Sequence, residues 1–423
     1  MWAAHSRANG LLFAWILLLA ACARSGTQVP TVRPVESPVG EALPVSTLAS
    51  DPALTPIVST LAPPPTQDSS FMATPTLSAS SGQEAPPAFT SATPASFSST
   101  VISPENAAAL IQTHEIHFDP WELVMTVAWS PDGERLAVSA GENVYLYSTS
   151  RWDLLATMNV GAFTHSLAFS PDGAWLAAGS RDGVLRTWWL GPGQALPAGE
   201  LQPSLELQAH KKGVNTVAFS PDGRLLASGG NDAIARFWDL ATGELLGQVV
   251  GGTFAVPSIA FTPDSAALAV VNGDVVRLRE VGTERIVGTL MADTPLYSVA
   301  ISPDGRILAA GDINNLIRLW DPAQAYRTGQ EQYPQPLELA GHSGKPDTYR
   351  ALIWRVTFSP YGRLLASAGG DATVRIWDIA SAKLLTTLNG HPGGATCVAF
   401  HPLGLGLASG GLDGVLRIWG VGV

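Results

Sequence analysis

A short turn phrase recurs along this chain, and its recurrence limits the possible folds more than any other feature. It reads Ser130-Pro131-Asp132-Gly133, Ser170-Pro171-Asp172-Gly173, Ser220-Pro221-Asp222-Gly223, Thr262-Pro263-Asp264-Ser265, Ser302-Pro303-Asp304-Gly305, Ser359-Pro360-Tyr361-Gly362 and His401-Pro402-Leu403-Gly404. Serine first, proline fixing φ second, aspartate third and glycine fourth suit a type I turn closing a hairpin. A unit repeating at about 40 residues is the mark of a propeller or a solenoid.

The third copy displays the whole unit. Residues 214–220 read as one strand, 224–229 as the next and 233–239 as a third, with Asn231-Asp232 turning between the last two; a turn at 241–243 leads into a fourth strand at 245–250. Val217-Ala218-Phe219 and Leu225-Leu226-Ala227 are apolar runs, not alternations, as expected of a small sheet covered on both faces. Neighbouring copies supply that cover. Long amphipathic helices are not expected from a chain with 46% hydrophobic and 14% charged residues that is rich in Gly, Pro and Trp.

These units resemble the WD40-repeat family. Gly341-His342 and Gly390-His391 stand ahead of a first strand, and Trp238-Asp239, Trp320-Asp321 and Trp377-Asp378 end a third. The resemblance covers about three quarters of the chain and implies an all-β, seven-bladed β-propeller at 106–423. The last copy ends after its third strand, whereas residues 109–117 precede the first turn phrase without a partner. As in the family, that N-terminal strand is expected to complete the last blade, because an open ring would leave two raw edges.

His210, Ser228 and Asp232 are the residue types of a nucleophilic triad. The trio returns as His342, Ser367 and Asp371 and as His391, Ser409 and Asp413, followed each time by a tryptophan, Trp238, Trp377 or Trp419. One active site has no need of three copies. The resemblance implies that each foursome is a buried hydrogen-bond relay joining the loop before the first strand to the third strand. Other blades depart from it: Ala178 and Ala310 replace the serine, Asn314 the aspartate, and Tyr147 and Arg279 the tryptophan. Those blades are expected to be looser, and the fourth, with Arg279 and Ser265, the least regular.

In this architecture the loops before the first strand and after the second share the narrower face, commonly the partner-binding one. That expectation gathers Arg181, Lys211, Lys212, Asp312, Asn315, Lys345, Asp347 and Arg350 as candidate partner contacts, the last three within a longer insertion at 343–350. Insertions at 191–203 and 322–336 are expected on the opposite face. No metal site is expected: in His114-Glu115-Ile116-His117 the histidines are three apart, not four, and lie on a strand. No cofactor is expected either, because no glycine-rich phosphate loop precedes a helix.

Arg7 and the apolar run 11–21 have the layout of a secretory signal peptide, and Leu19-Ala20-Ala21-Cys22 resembles a bacterial lipobox. The expectation is a signal at 1–21, a lipidated Cys22 as mature N-terminus, and a disordered Pro/Ser/Thr-rich tether at 22–105 spanning on the order of 50 Å. The net charge of −11 opposes nucleic-acid binding. With Cys397 in an apolar strand, no disulfide framework is expected. The combined reading is a monomeric, non-enzymatic scaffold for an unidentified protein, held outside a bacterial membrane. The alternatives are a hydrolase or lyase using the central channel, and a solute-binding lipoprotein.

Overall fold

The computed structural model describes residues 99–423, apart from 120, 192–198, 241, 251, 284, 326–332, 346–347 and 423. The expected signal peptide, Cys22 and the expected tether up to residue 98 lie outside the described residues. Seven antiparallel sheets of four strands follow one another, each starting with an inner strand and running outward through its neighbours. The protein is a seven-bladed β-propeller.

The turn phrase builds each inner hairpin by local hydrogen bonding. In the first copy the Gly133 N–H donates to Ser130 O at 2.9 Å, Arg135 N–H to Ser130 Oγ at 2.9 Å, and Glu134 N–H to Asp132 Oδ1 at 2.9 Å. Gly133 adopts φ +75°, a conformation that disfavours a side chain. In the fourth copy Ser265 occupies that slot at φ +60°, and this blade has an inner strand of only three residues, Ile259–Phe261.

Closure comes from the N-terminus. Strand Leu110–His117 pairs antiparallel with Val415–Val421, from Leu110 opposite Val421 to His117 opposite Val415, and so becomes the outer strand of blade seven. Ile102 is buried beneath Leu110, and its N–H donates to Gly404 O at 2.8 Å, so packing begins within the stretch expected to be tether.

Between blades lie separate apolar clusters, one for each junction. Leu146, Met158, Leu176 and Trp188 fill the first junction; Ile116, Val124, Tyr147 and Leu416 fill the seam where the chain's two ends meet. Burying a large apolar side chain stabilises by about 1.5–3 kcal/mol. No blade could bury these faces alone. The spacing is tight: a Cβ on Gly410 would lie 2.2 Å from Val124 Cγ1 of the next blade, which explains a glycine there.

Candidate functional site

The relays are assembled in blades three, six and seven. His210 Nδ1 lies 2.7 Å from Asp232 Oδ1, His210 Nε2 lies 2.8 Å from Ser228 Oγ, and Trp238 Nε1 donates to the same oxygen at 2.9 Å. In blade six the distances are 2.9, 2.8 and 2.9 Å, through His342, Asp371, Ser367 and Trp377. In blade seven they are 3.0, 2.7 and 2.8 Å, through His391, Asp413, Ser409 and Trp419.

Chemistry assigns the protons. An ionised carboxylate only accepts, so each histidine Nδ1 carries the hydrogen and Nε2 accepts from the serine hydroxyl, which accepts from the indole. Burial lowers the pKa of all three histidines, outweighing their aspartates, and this keeps them neutral. The serine hydroxyls are thus fully engaged within the relays, each of which ties together the strands of one blade. An arginine four residues after each aspartate completes the group: Arg236, Arg375 and Arg417 reach Asp232, Asp371 and Asp413 at 2.8, 3.5 and 2.6 Å.

Blade five solves the same problem differently, and one expected contact residue is corrected by it. Asp312 is not on the surface: it is fully buried and pairs at 2.5 Å with Arg318, itself 1% exposed. The reason lies in the relays, where Gly230, Gly369 and Gly411 hold the position of Asp312 because an imidazole occupies the space above them. Without that ring, a carboxylate fits. Arg318 also contacts Asp293 and Thr294, and it lies 3.5 Å from Glu338. Asn315, also expected as a contact, is half-buried at φ +72°, and its amide both donates to Gly344 O at 2.9 Å and accepts from Gly344 N–H at 2.7 Å.

The remaining expected contacts lie at one end of the sheets. Arg181 N–H donates to Phe163 O, tying the loop after the second strand to the loop before the first; Asn231 to Gly213 and Gly370 to Leu352 repeat the bond. Arg181, Lys211, Lys212, Lys345 and Arg350 are all exposed on these loops. Asp347 lies outside the described residues. His114 is buried against Trp152, with ring centroids 5.3 Å apart, and the exposed His117 pairs with Glu115 at 3.0 Å, so the two histidines share no site.

The sequence reading missed one feature, a ring of side chains around the axis. Six inner strands carry a register shift at their second residue, and the extra residue there faces the axis: Met125, His165, Asn215, Tyr297, Trp354 and Thr396. Together with Pro257 of blade four they line one void of about 40 Å³ at the loop end of the channel, joined by Arg355. These positions precede the apolar runs such as Val217-Ala218-Phe219, so the strand pattern alone does not single them out. A polar or aromatic residue two places ahead of the apolar run would have signalled them.

Comparison with known proteins follows the same repeat. The family described as WD domain, G-beta repeat, matches residues 159–188, 201–239, 284–321, 336–378 and 382–420. This chain belongs to the WD40-repeat family. Each full match takes in the outer strand of one blade and three strands of the next. The first three strands of blades one and four, where Tyr147 and Arg279 replace the tryptophan, lie outside the matched segments.

Among WD40 relatives, the chain is 34% identical over 130 residues to the WD repeat-containing protein SL1-17 of Schistosoma mansoni, covering 30% of this chain and 38% of that protein. It is 28% identical over 145 residues to the WD repeat-containing protein WDS homolog of Arabidopsis thaliana, or 34% of this chain and 25% of that one. An uncharacterized WD repeat-containing protein of Synechocystis is 31% identical over 146 residues, 34% of this chain and 37% of the relative. Each alignment therefore spans less than two thirds of the relative's length. A WD40 propeller suggests an interaction scaffold.

Proposed function

We propose that this protein is an extracytoplasmic, lipid-anchored scaffold that receives an acidic protein partner on the face where the inner strands begin. The observation that carries the partner reading is the set Arg181, Lys211, Lys212, Lys345 and Arg350. All are exposed, and none has an ion-pair partner among the described residues. In a chain of net charge −11, unpaired cations gathered on one rigid face favour a carboxylate-rich surface, chiefly by steering its approach. The anchoring reading rests on Leu19-Ala20-Ala21-Cys22 after a short apolar run: a thiol carrying two or three acyl chains would hold the protein at a membrane, where one chain binds only marginally.

Two measurements on cells making the full chain test the two halves separately. Cys22→Ser should abolish incorporation of labelled palmitate and move the protein out of the membrane pellet; retention there would sink the anchoring. Lys211→Glu with Lys212→Glu should remove a partner captured by cross-linking on intact cells while leaving the thermal midpoint unchanged. Undiminished capture would show that another face is used.

A further inference from the structure

The axial ring contains one residue that packing does not explain. At the position after the bulge, the other blades carry Thr126, Ser166, Thr216, Ser258, Ser298 and Cys397, all small. Several of these stitch one blade to the next: Ser166 Oγ accepts the Val217 N–H at 3.0 Å, Ser258 Oγ accepts the Val299 N–H at 3.1 Å, and Ser298 Oγ donates to Ile353 O at 3.3 Å. Blade six has Arg355 there instead. Its side chain turns to the channel and meets Thr126 Oγ1 of blade one at 3.3 Å. A guanidinium has five N–H donors, and this is its one hydrogen bond among the described residues.

No carboxylate pairs with Arg355 among the described residues. Arg355 is half-buried, and that burial lowers its pKa, the response of a cation without a counter-charge. A partly desolvated cation without a counter-charge costs stability unless something else repays it. A second group points the same way. Trp354, 8% exposed, lines the void beside Arg355, and its indole N–H is buried with no acceptor among the described residues. Tyr297 stands edge-on to Trp354, with ring centroids 5.4 Å apart, and burial pushes its hydroxyl up to about 12, so it keeps its proton and can donate.

We infer that this end of the channel binds the carboxylate of a small monocarboxylic acid, with Arg355 as its counter-ion and Trp354 and Tyr297 as further donors. The size fits: a water needs about 10–15 Å³ of such space, so about 40 Å³ admits a group of three heavy atoms. The charge fits a monoanion. His165, the other titratable nitrogen of the ring, is pushed down to about 4 by burial, ahead of the repulsion from Arg181, and is neutral at neutral pH. Arg355 is thus the one fixed charge, and a dianion would be left half-compensated. Across the ring Asn215 turns its Nδ2 to Asn231 Oδ1 and Val256 O, which leaves its buried Oδ1 without a donor among the described residues. A hydroxyl on the acid could supply one, so lactate should bind more tightly than acetate.

The test is calorimetric titration of the full chain, with Cys22→Ser for solubility, against acetate, lactate, inorganic phosphate and a capped tripeptide with a central aspartate. Saturable binding of lactate and acetate, lost by about 10- to 100-fold in Arg355→Met, is the expected result. The thermal midpoint of Arg355→Met without ligand should hold or rise, which separates lost binding from lost folding. Trp354→Phe keeps the ring and removes the N–H, and should weaken binding several-fold. No heat with either acid, tighter binding of phosphate than of acetate, or binding of the peptide alone would each overturn the inference.

Discussion

Arg318 and Asp312 form an ion pair at 2.5 Å in the interior of blade five, where three other blades place a histidine. Asp312 Oδ1 also accepts the N–H groups of Asn314 and Leu316, both at 2.8 Å, so the carboxylate both neutralises the arginine and caps the turn. Breaking a buried pair from one side leaves a stranded charge and costs about 3–5 kcal/mol. Arg318→Met should therefore lower the urea midpoint substantially. Adding Asp312→Asn keeps the turn's acceptor and removes the charge, and should recover most of the loss. If the double variant is as unstable as the single, the cost lies in packing and not in charge.

Ring closure rests on the pairing of Leu110–His117 with Val415–Val421. A chain beginning at residue 118 would expose the backbone groups of Val415–Val421 along a free edge, and a free edge pairs with another copy. Light scattering after gel filtration should find this shortened chain dimeric or larger, with faster hydrogen exchange at 415–421 in whatever monomer remains. A monomer with the thermal midpoint of the full chain would mean that the seam contributes little.

Much of this architecture was legible in the sequence because its signals are local. The turn phrase fixes each hairpin through its own side chains, as Ser130 and Asp132 do, so counting phrases counts blades. The relays were legible for the same reason: His342, Ser367, Asp371 and Trp377 recur at fixed spacing. What stayed hidden depends on one-residue shifts. Tyr297 and Trp354 sit at bulges, where the extra residue breaks the alternation that would reveal which side chains face the axis. Asp312 was misplaced for a related reason. It lies two residues before Asn314, in the slot that glycine holds in the relays, and only the loss of the imidazole in three dimensions makes room for it.

Stability should depend on pH through the buried His210, His342 and His391 and the half-buried His165. His165, His210, His342 and His391 all have folded pKa values below the ordinary 6.5, with burial the largest cause. The unfolded chain therefore binds protons first as the pH falls, and stability that is fully present above about 6.5 is lost on acidification. For His165 the loss runs from 6.5 to about 4. Urea midpoints measured between pH 7 and pH 5 should fall steadily, and His165→Asn should flatten that slope. A midpoint that stays level or rises over this range would contradict the neutral state of these rings.

Cys397 offers a probe of the inner strands that needs no added label site. Its thiol is 1% exposed on the inner strand of blade seven, its Sγ lies 3.0 Å from where a Cβ on Gly410 would be, and burial pushes its pKa up to about 11. At pH 8 that leaves about one thiolate in a thousand, and the thiolate is the reacting species. In the Cys22→Ser chain, a disulfide reagent should leave the native protein unmodified for as long as the ring stays closed. Modification should then proceed at the rate of opening, independent of reagent concentration, because removing the shield of blade one is the slow step. A rate that rises in proportion to reagent would place the thiol within reach of solvent in the native ring, and the junction between blades seven and one would be looser than its packing indicates.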